Sequence, residues 1–384
     1  MAMSETITDI RETITQIDNE LLSLLAKRRQ CSEAVAKQKQ HINKPLRDHL
    51  RERELIERLV KKANQLNLNP HYVTRIFNTI IEDSVQFQQD YLQRCEHPEL
   101  KTTEQKSLAV LGGKGAYSYL AAKQFFSHSG NDYVACSSFE QVLQKVEKGS
   151  VDYGVIPIEN TTSGGITEVY DLLLDSNLNI VGDQKYAVTH CLVAAPGAKL
   201  EDITQIVAHP EASRQCNKNL KELTSANLCL VQSTAHALEL VVNQTQSNVA
   251  AVASEAAAQL FSLDVLKFNI ANQSENITRF LVLSRNPVKV SSLAECKTSI
   301  ALSTGQKAGS LAEVLGLFHQ ANIPLTRLES RPIPNKPWEQ MFYIDLLGNI
   351  NDKNVEKTIQ SLTKSCRFLR VLGSYQIETV SACK

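Results

Sequence analysis

The sequence lacks any long apolar run, any excess of one charge sign and any cluster of cysteines. No apolar stretch approaches the ~18 residues needed to cross a bilayer. The first ten residues hold no basic region followed by an apolar run, so we predict no signal peptide. The number of lysines and arginines equals the number of aspartates and glutamates, at 41 each. The protein therefore has no overall electrostatic field that would attract nucleic acid or a membrane surface. Any anionic ligand must therefore be bound by locally placed cations.

The nine cysteines include no CxxC pair and no histidine-paired metal spacing. An odd, unclustered count is typical of reduced thiols in a cytosolic protein. Each cysteine is best explained as a small buried apolar residue. We therefore predict a cytoplasmic protein without a metal site.

Residues 4–95 contain no glycine and only two prolines. Apolar residues recur there every three or four positions, at Ile7, Ile10, Ile14, Ile17, Leu21 and Leu24. This spacing predicts one long amphipathic helix. Pro45 and Pro70 stand where two further helices would begin. The pattern predicts an all-α, three-helix domain over residues 1–95, followed by a polar linker over residues 96–106.

After the linker, short apolar runs alternate with helical patterns, and glycine or serine marks the junctions. The runs cover residues 108–111, 151–158, 203–208, 249–253 and 280–283. This alternation predicts an α/β domain with parallel strands and with ligands at their carboxyl ends.

A third pattern begins near Lys297 and predicts a βαββαβ, ferredoxin-like domain over residues 297–378. The predicted strands cover residues 298–303, 325–331, 341–347 and 369–375, and the predicted helices cover 309–320 and 351–364.

Several charged and polar residues of the helical segment share helix faces. Arg28 and Lys39 are eleven residues apart, which puts them on one face at about 16 Å. The other sets are Asp48, Arg51 and Glu52 in the second helix and Ser84 and Gln88 in the third. A solvated basic face and ordinary surface ion pairs would produce the same pattern, so spacing alone leaves both interpretations open.

The stretches RDHLRERELIERL and IIEDSVQFQQ, together with these residues, resemble the all-helical class of chorismate mutase. The whole chain resembles the bifunctional chorismate mutase–prephenate dehydratase of enteric-type bacteria. The resemblance implies a mutase site in which Arg11 and Arg28 hold carboxylates and Lys39 and Gln88 hydrogen-bond the ether oxygen. It implies that Asp48, Glu52 and Ser84 contact the ring-hydroxyl side and that Arg51 belongs to the same site. The pericyclic rearrangement needs no nucleophile, general base or cofactor.

The length of the first helix constrains this site. Arg11 and Lys39 lie 28 residues apart, about 42 Å along a straight helix, and no proline or glycine intervenes. One chorismate cannot touch both. If both residues serve one site, as the resemblance implies, Arg11 comes from a second chain, and the mutase is an intertwined two-fold dimer.

Two segments of the α/β domain, LGGKGAYS (residues 111–118) and PIENTTSGG (157–165), each end a strand and begin a helix. The first could offer backbone N–H groups and hydroxyls to a carboxylate at a helix N-terminus. The second could equally be an ordinary N-cap and tight turn. The first is not a dinucleotide fingerprint, because Ser118 stands where a third small residue is needed, and this weakens a fused prephenate dehydrogenase. A third segment, TRF from Thr278, could equally be a strand-edge threonine beside a surface arginine.

The segments PIENTTSGG and TRF resemble prephenate dehydratase, a family whose domain would span roughly residues 107–286. That family implies a bilobed α/β fold like that of periplasmic binding proteins, with Thr278 tied to catalysis and Asn160, Gln215 and Arg279 binding prephenate. Threonine is too weak an acid to ionise, but its hydroxyl can donate a hydrogen bond to the leaving oxygen. Two positions depart from the family pattern: Ala208 replaces a serine before His209, and Gln232 replaces a glutamate. Because the two departed positions were candidate acids or ligand contacts, we assign these roles chiefly to Asn160, Gln215 and Thr278.

In the last domain, GSLAEVLGLF from Gly309 and ESRP (residues 329–332) resemble the phenylalanine-binding motifs of the ACT domain, with Ser310 in place of alanine. The resemblance implies a regulatory site formed by Gly309, Leu311, Glu329, Ser330, Arg331 and Pro332. Each motif alone could be a structural turn.

We therefore expect an enzyme of phenylalanine biosynthesis that converts chorismate to prephenate and then to phenylpyruvate, with feedback by L-phenylalanine and without a cofactor. We expect a homodimer or higher homo-oligomer that binds neither nucleic acid nor membranes. The alternative is a noncatalytic, amino-acid-responsive binding protein. Lys39, Gln88 and Thr278 argue against it.

Overall fold

The computed structural model describes residues 6–42, 44–96, 105–126, 130–243, 248–273, 275–305, 307–333, 336 and 339–377. Most of the predicted linker, residues 97–104, lies outside these ranges. The chain divides into two compact units. The first contains the helical segment with residues 291–295, and the second contains residues 102–290 and 296–378. No helix among the described residues is long and apolar enough to span a bilayer.

The first unit consists of three helices, as the sequence predicted: α1 (Ile7–His41), α2 (His49–Gln65) and α3 (Pro70–Glu96). Thr6 and Asp9 form a capping box at the start of α1. Pro70 begins α3, but the prediction for Pro45 is wrong by four residues. The reason is that Asp48 caps α2 by accepting a hydrogen bond from the Arg51 N–H at 3.1 Å, which fixes the helix start.

The helix α1 is unbroken from Ile7 to His41, and only Ser32 and Ala36 are buried on it. Both α1 and α2 pack against α3. The apolar stripe of α1 is largely solvent-exposed within one chain, at Ile7, Ile10, Ile14, Ile17, Leu21, Leu22, Leu24 and Leu25. The N-terminal half of α1 therefore has an apolar face that the described part of this chain does not cover.

The second unit begins with two α/β lobes, as predicted. The first lobe contains β1 (Ser107–Leu111), α4 (Tyr117–Phe125), β2 (Asp132–Cys136), α5 (Phe139–Glu147), β3 (Tyr153–Asn160), β4 (Gly164–Gly165), α6 (Thr167–Asp175) and β5 (Asn179–Ala187). The second contains β6 (Cys191–Ala194), β7 (Gln205–Ala208), α7 (Pro210–Leu223), β8 (Asn227–Leu230), α8 (Thr234–Asn243), β9 (Val249–Ala253), α9 (Glu255–Leu260) and β10 (Asp264–Lys267).

The chain then returns to the first lobe as β11 (Ile277–Ser284). The first sheet has the order β2-β1-β3-β11-β5, with β4 paired to β3, and the second has the order β10-β6-β9-β7-β8. Both sheets are mixed, because β11 runs antiparallel to β3 and β5 and β6 runs antiparallel to β9 and β10. The prediction of parallel strands is thus only partly correct.

The remaining residues form the predicted βαββαβ order. The elements are β12 (Cys296–Ser303), α10 (Ser310–Gln320), β13 (Leu325–Pro332), β14 (Gln340–Leu347), α11 (Lys353–Ser365) and β15 (Phe368–Gln376). Their antiparallel sheet has the order β13-β14-β12-β15. One apolar core joins this sheet to the first lobe, since Ile156 and Leu281 cluster with Tyr343, Leu372 and Tyr375.

Candidate active sites

A polar cluster lies where α1 meets α3. The Arg28 guanidinium donates to the Ile80 carbonyl at 3.0 Å and to the Ser84 hydroxyl. Gln88 is 6% exposed, and its amide nitrogen donates to the Ser84 carbonyl at 3.0 Å. Its Oε1 is buried and has no hydrogen-bond partner among the described residues, a state that costs roughly 1–3 kcal/mol. The two polar residues that interrupt the apolar face are therefore both buried, and Ser84 contacts the Arg28 cation.

Lys39 lies among the acidic and basic residues that the sequence assigned with it. Burial lowers the pKa of Lys39, Asp48 and Glu52 raise it, and Arg51 lowers it. The Lys39 ammonium donates to the Leu46 carbonyl. The structure thus brings Lys39, Asp48, Arg51 and Glu52 into one electrostatic neighbourhood.

Arg47, which the sequence did not single out, supports this neighbourhood. Its guanidinium pairs with Glu82 and, at 3.3 Å, with Glu52. The Glu52 carboxylate is therefore held in place by its ion pair with Arg47. Arg11, by contrast, is exposed on α1, 28 residues of unbroken helix from Lys39. The structure leaves Arg11 outside the cluster of its own chain.

A second polar cluster is centred on Thr278, which faces Asn160 across β11 and β3. The Asn160 amide nitrogen donates to Thr278 Oγ1 at 2.8 Å and to Asn276 Oδ1 at 2.6 Å. The Asn160 Oδ1 accepts the N–H groups of Thr162 and Ser163 at 2.9 and 3.0 Å. These two backbone donors fix the orientation of the amide. Thr278 therefore accepts from Asn160, and its own proton is left to donate elsewhere.

Gln215, on α7 of the second lobe, joins this cluster. Its Oε1 accepts from Asn276 Nδ2 at 2.7 Å and lies 2.9 Å from His190 Nε2. Its Nε2 donates to Glu211 at 2.8 Å. Because Glu211 fixes the amide orientation, His190 Nε2 carries a proton. Burial lowers the pKa of His190, so the ring is neutral at neutral pH.

The cluster thus bridges the two lobes, which is where ligands of such folds bind. The sequence identified Asn160, Gln215 and Thr278 but missed His190, Asn276 and Glu211. One signal was available: Glu211 precedes Gln215 by four residues, so the two share a helix face. Nothing in the sequence tied His190 to a residue 25 positions away.

Arg279 does not join this cluster, which corrects its assignment to a prephenate carboxylate. Successive side chains of a strand point to opposite faces, so Arg279 points away from Thr278. Its guanidinium is buried against Asp183 at 2.7 Å, Asp345 at 2.5 Å and the Tyr375 hydroxyl at 2.8 Å.

The residues of the third assigned site lie on two elements of the βαββαβ segment. Gly309 is exposed, has φ +87° and caps α10 without a side-chain bond, and Leu311 lies in the first turn of that helix. Glu329, Ser330, Arg331 and Pro332 end the edge strand β13. Arg331 donates to Asp171 at 2.9 Å. No group of three potential metal ligands occurs among the described residues.

Residues 10–89 match the family model described as chorismate mutase type II, and residues 108–288 match the one described as prephenate dehydratase. A protein of Enterobacter agglomerans named bifunctional chorismate mutase/prephenate dehydratase is 40% identical over 97% of this chain and 96% of its own length. The chain belongs to this bifunctional family. It therefore carries both a mutase domain and a dehydratase domain.

Two solved structures each cover 71% of this chain. Prephenate dehydratase from Arthrobacter aurescens, in complex with L-Phe, is 28% identical with a TM-score of 0.65 over 90% of that chain. GqqA, described as a novel type of quorum quenching acylase, is 29% identical with a TM-score of 0.64 over 98% of that chain. Proteins of this fold carry different names for their activities, so the chemistry must be argued from site residues.

The two departures from the family pattern occupy different environments. Ala208 is fully buried at the end of β7, directly before His209. The His209 ring caps α7 by accepting the Glu211 N–H at 3.2 Å. Gln232 is exposed before α8. Neither side chain touches Thr278, so the departures leave the Thr278 cluster intact.

Proposed function

We propose that this chain converts chorismate to prephenate in its helical domain and prephenate to phenylpyruvate in its α/β domain, with L-phenylalanine as feedback inhibitor. The observation that carries the proposal is the orientation of Asn160, which leaves the Thr278 proton free to donate. The test is a coupled assay: purified chain receives chorismate, and the ultraviolet absorbance of phenylpyruvate is followed. Phenylpyruvate appears only if both activities are present. A chain that binds these acids without turnover would be the noncatalytic alternative.

In the proposed mutase mechanism, Arg28 and Arg11 of a second chain hold the two carboxylates and select the compact conformer of chorismate. Negative charge develops on the ether oxygen as its bond to carbon breaks. Lys39 and Gln88 donate to that oxygen. Asp48, Glu52 and Ser84 contact the ring-hydroxyl side, and Arg51 completes the site. The buried Gln88, which donates to the carbonyl of Ser84 while Arg28 contacts the Ser84 hydroxyl, supports this assignment.

Replacing Gln88 with glutamate is expected to make mutase activity depend on acid. A glutamate donates to the ether oxygen only when it is protonated, and burial raises the pKa of a carboxyl group. Mutase activity should therefore be present at low pH and fall as pH rises through that pKa, measured as chorismate consumption across a pH series. The dehydratase rate of the same protein is the internal control. An unchanged mutase pH profile would contradict the Gln88 contact.

In the proposed dehydratase mechanism, the ring carboxylate of prephenate leaves as carbon dioxide and its electron pair forms a ring double bond. The ring hydroxyl departs at the same time and takes up a proton to leave as water. The balance is prephenate plus one proton to phenylpyruvate, carbon dioxide and water. Thr278 donates a hydrogen bond to the departing oxygen as its charge grows. Asn160 orients Thr278, Gln215 supports Asn160 through Asn276, and we assign both amides to prephenate binding.

We propose that residues 297–378 are an ACT domain whose phenylalanine site contains Gly309, Leu311, Glu329, Ser330, Arg331 and Pro332. The binding of L-Phe by the Arthrobacter aurescens dehydratase supports this. The proposed domain boundaries are 1–95, 107–286 and 297–378, with a linker at 96–106, although residue 378 and most of the linker lie outside the described residues. We propose a cytoplasmic location and no cofactor.

A Gly309→Val substitution is expected to weaken feedback and spare catalysis. A Cβ at Gly309 would meet nothing within 4 Å, so the fold tolerates its volume. The left-handed φ disfavours valine by roughly 1–2 kcal/mol, and the side chain obstructs the backbone N–H groups that would receive an effector's carboxylate. The phenylalanine concentration for half-inhibition of prephenate turnover should rise. Deleting the whole segment is a poorer test, because its sheet shares a core with the first lobe.

A further inference from the structure

A buried ion network joins the catalytic sheet to the βαββαβ sheet. Arg279, Lys297, Asp183 and Asp345 are each at most 7% exposed. Lys297 donates to Asp183 at 2.9 Å, and Arg279 binds both carboxylates. Burial alone would raise the pKa of Asp183, but Arg279 and Lys297 hold it below its ordinary value. Two cations and two anions thus balance across this interface, where an unpaired charge would cost several kcal/mol.

Glu159 extends this network to the catalytic strand β3. Its carboxylate accepts from Arg279 at 3.1 Å and pairs with Arg327 of β13. Glu159 directly precedes Asn160, and Arg279 directly follows Thr278. Because strand side chains alternate between faces, Glu159 and Arg279 face the βαββαβ sheet while Asn160 and Thr278 face the substrate cluster. A shift of Glu159 therefore moves the backbone that holds Asn160.

The other side of this contact is the ESRP segment. The Arg327 guanidinium donates to Glu329 at 3.2 Å, and Glu329 is the first residue of that segment. A Cβ added to Gly165 would meet Arg327 at 3.0 Å and Glu329 at 3.6 Å. Gly165 belongs to the strand β4 that pairs back onto Glu159. Glu329 of the ESRP segment therefore lies against β4, the strand that pairs with Glu159 and Asn160.

This contact is polar and leaves internal space. A cavity of about 20 Å³ lies beside Arg279, Arg327 and Asp345, and most of its other lining residues are apolar, such as Leu281 and Leu372. Tightly packed apolar cores resist rearrangement. A charged contact beside a gap can adopt a second set of pairings at lower cost, which is what a regulatory link between two sites requires.

We propose that Glu159, held between Arg279 and Arg327, is the positioning residue through which phenylalanine binding at Glu329 reaches Asn160 and Thr278. This rests on the proposed feedback function. The ammonium group of an amino acid bound at Glu329 competes with Arg327 for the Glu329 carboxylate. Losing that partner changes the pairing of Arg327 with Glu159. The tie from Glu159 through Arg279 then carries the change to the strand of Thr278.

The test compares Arg327→Met with Arg370→Met in the full chain. Arg370 also bridges the βαββαβ sheet to the first lobe, but it donates to the carbonyls of Leu173, Leu174 and Leu178 at 2.9–3.3 Å and touches neither catalytic strand. Phenylalanine binding is measured by calorimetry and inhibition by prephenate turnover. Arg327→Met should raise the half-inhibiting concentration about tenfold or more while the Kd changes little, since coupling energies correspond to about 5–150-fold. Arg370→Met should leave both values near wild type.

Glu159→Gln, alone and combined with Arg327→Met, tests whether the two residues act through one contact. If Arg327 and Glu159 act through one contact, the double variant should lose no more inhibition than Arg327→Met alone. Arg327→Lys keeps the charge and should restore part of the inhibition. Mutase activity and thermal unfolding show whether Arg327→Met folds. If it does not, Arg327→Lys is compared with wild type in its place.

Three outcomes separate the possible failures. Wild-type protein without any response to phenylalanine refutes the feedback function itself. Normal inhibition in Arg327→Met overturns the Glu159 link and leaves the feedback function standing. Loss of phenylalanine binding together with inhibition overturns the link as well, because Arg327 would then belong to the effector site.

Discussion

Replacing Thr278 with alanine is expected to lower prephenate turnover on the order of 10²–10³-fold, the usual cost of losing one donor to a developing oxyanion. The substitution removes the hydroxyl with little change of volume, and of the acceptors of the Asn160 amide it leaves Asn276 and the more distant Ile277 carbonyl at 3.4 Å. The leaving oxygen then loses the only hydrogen bond that we assign to it. The measurement is the initial rate of prephenate consumption. Chorismate consumption by the same preparation should stay near wild type.

The Thr278→Ser variant separates hydrogen bonding from packing. Serine keeps the hydroxyl that accepts from Asn160 and donates to the substrate, so it should retain much of the wild-type rate. Thermal unfolding of both variants reports on the fold. Equal losses in the alanine and serine variants would show that the threonine methyl group, and not its hydroxyl, matters.

Much of the fold followed from spacing in the sequence. The βαββαβ order was confirmed element by element, because alternating strands and amphipathic helices each satisfy a local rule. The three helices were confirmed for the same reason. The start of α2 was wrong because a side-chain cap at Asp48 outweighed the preference of Pro45. Strand direction in the α/β lobes was only partly right because it depends on where β11 returns in the chain.

The Thr278 cluster was only half predictable. Thr278 and Asn160 stood out through their surrounding segments, but the amide orientation that frees the Thr278 proton depends on the backbone donors of Thr162 and Ser163. For Arg279 the sequence predicted the side of the strand but not the partners. Strand alternation puts Arg279 on the face opposite Thr278, whereas its partner Asp345 lies 66 residues away in the chain. No local pattern reveals a pairing of that separation.

The exposed apolar stripe on α1 predicts a partner surface. Leucine and isoleucine side chains follow one face of this 35-residue helix, and burying such a side chain stabilises by roughly 1.5–3 kcal/mol. A second copy of α1 has the same apolar face, and an antiparallel two-fold pairing of the two helices would bring each helix start towards the other chain's pocket. We therefore propose a dimer in which Arg11 of one chain completes the site formed by Arg28 and Lys39 of the other.

Mixing two inactive variants tests this sharing of sites. Arg11→Ala and Lys39→Ala chains should each be nearly inactive as mutases. In a mixed dimer one site collects both changes and the other collects neither. Random reassortment of equal amounts should restore about a quarter of wild-type mutase activity, since half the dimers are mixed and each has one intact site of two. The control mixes Arg28→Ala with Lys39→Ala: both residues belong to the same chain's pocket, so every site in a mixed dimer is damaged and activity should not return. If the first mixture also stays inactive despite verified subunit exchange, Arg11 does not act across the dimer, and the exposed stripe of α1 must be covered in some other way.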